Sequence, residues 1–175
     1  DFTHALQRDG THVRVYFMLA QAREMAGDPE GASRDRQEGL RREPADELSW
    51  VARGLAQLPA DLQSALADFE RALQLNPHSR EALQDKAHVL SERLGRVDDA
   101  IAVLDQAVSK HPDYVLARAG RGVLLARCGK RDAAHRDAEE VLARDSKPDT
   151  IYQIAGIYAL TSAQNPSDRT EALRL

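Results

Sequence analysis

The chain has 175 residues, of which 42% are hydrophobic and 30% charged, and its net charge is −4. This balance excludes a disordered tail, and no apolar run approaches the roughly 20 residues a bilayer-spanning helix needs, so a membrane protein is excluded too. Acids and bases are interspersed with no lysine/arginine block to grip a phosphate backbone, which argues against nucleic acid as the partner.

Alanine, leucine, arginine, glutamate and aspartate dominate, and they favour helix. Valine and isoleucine never alternate with polar residues over a strand length, so no β-sheet is expected. The single cysteine, Cys128, excludes an internal disulfide framework. It fits a reducing compartment and a cytoplasmic location. No signal peptide or initiating methionine is present, and the chain reads as an excised fragment that begins inside a helix.

In chain order, residues 1–8 read as the tail of a helix. Residues 12–26 form the next helix, broken by Gly27-Asp28-Pro29, with Pro29 in the first turn of a helix that runs to about Arg42. Helices follow at 46–58 and 61–75, the second with Asp61 near its N-terminus, where a carboxylate suits the dipole. Ser79 caps a helix over 79–94 that ends at Gly95. Helices at 97–109, 113–127 and 131–144 come next, Gly129 separating the last two. A helix over 149–161 and a turn at Asn165-Pro166 precede a final helix capped by Ser167 or Asp168.

These elements recur. Pro44, Pro77, Pro112 and Pro148 are separated by 33, 35 and 36 residues. Ala32, Ala65, Ala100, Ala134 and Ala172 recur near the start of alternate helices. A second small-residue series runs Ala5, Gly39, Ala72 and Ala107 and closes on Val141. Three residues before it stand Phe2, Arg36, Phe69, Leu104 and Ala138. A period near 34 with two helices per unit is the spacing of helical-hairpin repeats.

On these residues the whole chain resembles the tetratricopeptide repeat family. Tyr16, Trp50, Leu83, Arg118 and Tyr152 fall at the family's large fourth position. Ala20, Gly54, Ala87, Gly122 and Gly156 fall at its small eighth. Small residues there let the two helices of a hairpin approach closely, and a larger side chain would overpack by about 1–3 kcal/mol. Arg36, Ala138 and Arg118 depart from the pattern. The resemblance implies an all-α, right-handed superhelical solenoid, with a half-unit at 1–10, units at about 12–44, 46–77, 79–112 and 113–148, and a partial unit at 149–175. The runs 46–54 and 118–127 also resemble repeat regions of large bacterial multidomain proteins, some of which carry a serine/threonine kinase domain. The chain itself has no glycine-rich loop over a strand, no HRD-type loop and no DFG.

Family ligand contacts come from the second, fifth, ninth and twelfth positions, on first helices lining the concave face. The resemblance therefore implies a partner-binding set of Arg14, Phe17, Gln21, Val51, Leu55, Gln84, His88, Val123, Gln153 and Ile157. The lysine and asparagine of the family's carboxylate clamp are missing from these positions, which argues against a chaperone-tail adaptor. The apolar members Val51, Leu55, Val123 and Ile157 form either a groove for an amphipathic helix or extended segment, or packing between neighbouring first helices.

No residue set reads as catalytic. His4, His12, His78, His88, His111 and His135 are scattered with no i, i+4 pair, so no metal site is expected. Gly120-Arg121-Gly122 lies inside a helix and lacks the third glycine of a dinucleotide loop. Asp98-Asp99 and Glu139-Glu140 point about 100° apart and read as solvated faces. The sequence therefore predicts a non-catalytic scaffold for a protein or peptide, with no cofactor. The alternative is a structural spacer, or self-association through ends exposing Phe2, Leu6, Leu173 and Leu175.

Overall fold

The computed structural model describes residues 12–163 and 165–175, and the regular structure among them is helical throughout. The expected half-unit at 1–10 lies outside the described residues. Contacts divide the chain into two units, one ending at Val89 and the other starting at Leu90.

The first unit holds α1 (Arg14–Met25), α2 (Pro29–Arg41), α3 (Glu47–Gln57), α4 (Leu62–Leu75) and α5 (Arg80–His88). Side chains start most of these helices. The carboxylates of Asp28, Asp46 and Asp61 accept from Gly31, Ser49 and both Gln63 and Ser64 N–H, and the Ser79 hydroxyl accepts from Ala82 N–H. Each satisfies an amide that has no partner inside its helix. Pro29 sits in the first turn of α2, as the sequence predicts.

The second unit holds α6 (Val97–Lys110), α7 (Val115–Arg127), α8 (Arg131–Leu142), α9 (Pro148–Thr161) and α10 (Ser167–Arg174). Its helices begin at Arg96, Tyr114, Lys130, Lys147 and Pro166, none of which makes a side-chain cap bond. Neither Ser167 nor Asp168 caps α10 as the sequence suggested. Ser167 is already helical, and Asp168 is drawn instead to Arg131 of α8.

Three first helices close the same way. Gly27, Gly95 and Gly129 take φ of +80°, +65° and +72°, the left-handed conformation that ends a helix and that only glycine adopts without cost. The amides of Asp28, Arg96 and Lys130 then turn back to the carbonyls of Arg23, Leu90 and Leu125. The middle closure reaches one residue further because α5 runs into a π turn, Val89–Arg93.

Helices pair as antiparallel hairpins, α1 with α2 and α3 with α4 in the first unit, α7 with α8 and α9 with α10 in the second. Successive first helices also pack together, α1 on α3 and α7 on α9. The small-residue series lie at these seams. Ala32, Ala65, Ala100 and Ala134 are fully buried, and so are Ala72, Ala107 and Val141. A Cβ added at Gly54 would stand 2.7 Å from Phe69 Cε1, and one at Gly39 would stand 2.8 Å from Phe17 Cζ. The all-α, helical-hairpin repeat architecture expected from the sequence is the one observed.

The final repeat differs in register. A spacing of 34 from Arg118 puts Tyr152 and Gly156 at the large and small positions. In the structure Tyr152 is 83% exposed, and a Cβ on Gly156 would meet nothing within 4 Å. Ile154 and Tyr158 are buried instead. Trp50, Leu83 and Arg118 each lie six residues after a turn proline, and Ile154 lies six after Pro148. The displacement follows from the turn. Helices α3, α5 and α7 begin three residues after their prolines, whereas α9 begins on Pro148 itself. Gly156→Ala should therefore raise stability by about 0.5–1 kcal/mol, the ordinary gain for filling an unconstrained helical glycine. A lowered urea midpoint in this variant would put Gly156 back at a close helix contact.

Candidate functional site

The first-helix faces are built unevenly. In the first unit Arg14 is half-buried, and its backbone N–H donates to Ser49 Oγ at 3.3 Å. That serine hydroxyl also donates to Asp46, whose carboxylate lies 3.1 Å from His12 Nδ1, so the starts of α1 and α3 are tied together. Burial pushes the Asp46 pKa up, but the bonds from Ser49 and His12 outweigh it and hold the carboxyl below its usual value. Phe17 turns toward Gly39 of α2, within its own hairpin. Val51 is buried, whereas Leu48 and Leu55 on the same helix are 41% and 44% exposed. Gln21 and His88 are exposed, and Gln84 is half-buried with a buried Oε1 that has no hydrogen-bond partner.

In the second unit Val123 and Gln153 are half-buried. Ile157 is fully buried, with Cδ1 2.8 Å from where a Cβ on Gly122 would be. Ile157 therefore packs against α7, a neighbouring first helix, while Val51 is buried on α3. Counted from the observed register, the second position of the final repeat is Tyr152, at the same level of α9 as Leu116 occupies on α7. Leu116 is 57% exposed. Large exposed apolar side chains among the described residues thus fall on first helices at Met18, Met25, Leu48, Leu55, Leu116, Tyr152 and Leu160.

Sequence reasoning missed the buried ion pairs. Arg53 Nε and Nη2 donate to Asp68 Oδ2 and Oδ1 at 2.9 and 2.8 Å, and Arg53 also lies over the Trp50 ring at 4.5 Å. Arg121 repeats the fork on Asp137 at 2.8 and 2.6 Å, with Arg118 3.5 Å from the same carboxylate. This accounts for a charged residue at the fourth position of that repeat, where Arg118 finds a buried acid in place of an apolar neighbour. Hydrogen bonding to Asp137 raises the Arg121 pKa further above its already high value. The signal was present in the sequence. Arginine stands three residues after the fourth position in both repeats, and aspartate directly precedes Phe69 and Ala138.

A third buried carboxylate organises the end of the second unit. Asp168 accepts from Arg131 Nε and Nη2 at 2.7 and 2.6 Å, and it lies 3.4 Å from His135 Nε2. The same imidazole nitrogen is 2.8 Å from Thr161 Oγ1, and the ring packs 4.6 Å from that of Tyr158. Hydroxyl and carboxylate share one ring nitrogen here. A nucleophile relay needs them on opposite nitrogens, so the cluster fixes α10 on α8 and α9 and does not assemble a catalytic triad. Among the described residues, no group of three or more His, Cys, Asp or Glu side chains could hold a metal ion. No described helix is long and apolar enough to cross a membrane.

The cluster makes the second unit acid-sensitive. The Arg131 guanidinium holds the Asp168 carboxyl down at about 2, and burial lowers the His135 pKa despite Asp168, Glu139 and Asp132 nearby, with Arg131 adding to the depression. Both groups bind protons more readily unfolded than folded. The His135 contribution is complete above about pH 6.5 and fades as pH falls below it, and the Asp168 contribution fades from about 3.8 downward. The urea midpoint should accordingly drop in two stages on acidification. In His135→Gln the first stage should flatten while the second persists, and an unchanged first stage would remove His135 from the account.

Comparison with known proteins agrees with this geometry. A family model described as tetratricopeptide repeat matches residues 59–113. The human Superkiller complex protein 3 is 34% identical over 98 residues, a stretch that is 55% of this chain but 6% of that protein. Among solved structures, MamA 41-end from Desulfovibrio magneticus RS-1 aligns with a TM-score of 0.67 at 20% identity, covering 94% of each chain. YrrB, described as a TPR protein with an unusual peptide-binding site, aligns at 0.64 and 22% identity over 99% of this chain and 87% of its own. The matched model sits on α4, α5 and α6, and the same hairpins with buried glycine or alanine seams continue on both sides of it. Residues 59–113 thus match a tetratricopeptide repeat model, and the chain as a whole shares its fold with these solved structures.

Proposed function

We propose that the chain is a non-catalytic protein–protein interaction scaffold that takes a peptide or a partner's helix on its first-helix faces. The observation that carries this reading is the exposure of Leu48 and Leu55 on α3, one turn either side of buried Val51. Buried Val51 holds the helix in place, and the two leucines remain available to an apolar side chain from outside. YrrB, which shares the fold, is described as having a peptide-binding site, which supports the same use here.

The test starts from a peptide selected on the purified chain from a displayed library. Leu48→Asp and Leu55→Asp should each weaken its binding by about tenfold or more, since covering a leucine contributes about 1.5–3 kcal/mol. Both positions are exposed, so circular dichroism should be unchanged. Undiminished affinity in these variants and in Leu116→Ser would overturn the reading.

A further inference from the structure

We propose that the second unit's first-helix face binds, at the N-terminal ends of α7 and α9, a protein segment presenting arginine or lysine beside an apolar residue. This rests on the scaffold reading above and adds the chemistry of the partner.

A notch lies between the start of α7 and the turn that leads into α9. Tyr114, Val115 and Leu116 line it from α7 and the residues just before it, and Thr150 lines it from α9. Its lining is mainly apolar, yet it also includes Asp145 and Asp149. Asp145 is held rigidly, accepting from Lys147 N–H and from Thr150 Oγ1, both at 3.0 Å. Those bonds, the one from Lys147 N–H foremost, keep its carboxyl below the usual range, so it stays charged. The one opposing charge in the lining is the Lys147 ammonium, 3.9 Å from Asp145 and pointing largely into solvent. Asp149 is exposed in the first turn of α9.

Tyr152 follows Asp149 by three residues, so it lies on the same side of α9. Its ring is the most exposed of the large aromatic side chains among the described residues and offers a face to a cation. An aliphatic-stemmed cation fits this combination: the stem and its apolar neighbour cover Leu116 and Val115, and the charged head meets Asp145, Asp149 and the tyrosine ring. An acidic segment would meet two carboxylates, and so would a nucleic-acid phosphate.

The experiment is fluorescence polarisation on the whole chain with two labelled probes, Gly-Leu-Arg-Gly-Leu-Arg-Gly and the same peptide with Glu in place of Arg. The arginine probe should bind at least about tenfold more tightly, and raising salt should narrow the gap. Leu116→Ser should weaken it about tenfold, and Asp149→Lys should abolish the preference. Equal binding of the two probes, no binding of the arginine probe, tighter binding of a single-stranded oligonucleotide, or parent-like binding by both variants would overturn the proposal. If the library-selected peptide still depends on Leu48 and Leu55 in that case, the scaffold reading survives and only the partner chemistry fails. If no first-helix variant alters any binding, both fail.

Discussion

Asp137→Ala is expected to destabilise the second unit by about 3–5 kcal/mol, the loss typical of removing one partner from a buried ion pair. Asp137 is buried under two guanidiniums, Arg121 gripping both oxygens and Arg118 standing behind. Without the carboxylate, Arg121 keeps only Asp105, which is largely in solvent. The cost comes from cations left out of water without a counter-charge more than from the bonds themselves. Urea unfolding followed by far-UV circular dichroism would measure it. Glu139→Ala, an exposed change on the same helix, should stay within about 0.5 kcal/mol. Asp137→Leu combined with Arg121→Met should recover much of the loss, because an apolar pair removes the buried charge together with its partner. A loss below about 1 kcal/mol in Asp137→Ala would show that water reaches the site.

The second large effect belongs to the first unit. Phe69→Ala should cost about 3–5 kcal/mol, since the ring is fully buried and α3 lies against it. Trp50, the only tryptophan, sits in the same unit, so its fluorescence should report the transition. The partner position sharpens the prediction. A Cβ on Gly54 would press on the Phe69 ring at 2.7 Å and on the Ala65 carbonyl oxygen at 3.2 Å, so Gly54→Ala alone should cost about 1–3 kcal/mol. In Phe69→Leu the space opens, and the double variant should be less damaged than the two single losses added together. Strict additivity would mean the contact does not limit the approach of the two helices.

The repeat itself was legible because it rests on steric exclusion. Alanine at 32, 65, 100 and 134 leaves little room for anything larger at a helix seam, so its recurrence announces the seam directly. The register of α9 was not legible in the same way. Spacing alone assumes that every turn consumes the same number of residues, and the turn before α9 does not. The proline offset would have given the answer, because Pro148 stands six residues before Ile154 just as Pro44 stands six before Trp50. The ion pairs were hidden for another reason. A surface arginine and one that forks onto a buried aspartate are spelled alike, and only the repeated placing of Arg53 and Arg121 relative to Asp68 and Asp137 tells them apart. Of the positions the family resemblance implied for binding, Leu55, Gln21 and His88 are exposed, while Val51 and Ile157 are buried.

The side-chain caps on α2 to α5 and their lack at the N-caps of α6 to α9 set the order in which the two halves loosen. A cap contributes about 1 kcal/mol to the first turn it closes. The leading amides of α6 to α9 should therefore trade their hydrogens with deuterated water sooner. Limited proteolysis should nick the later half first.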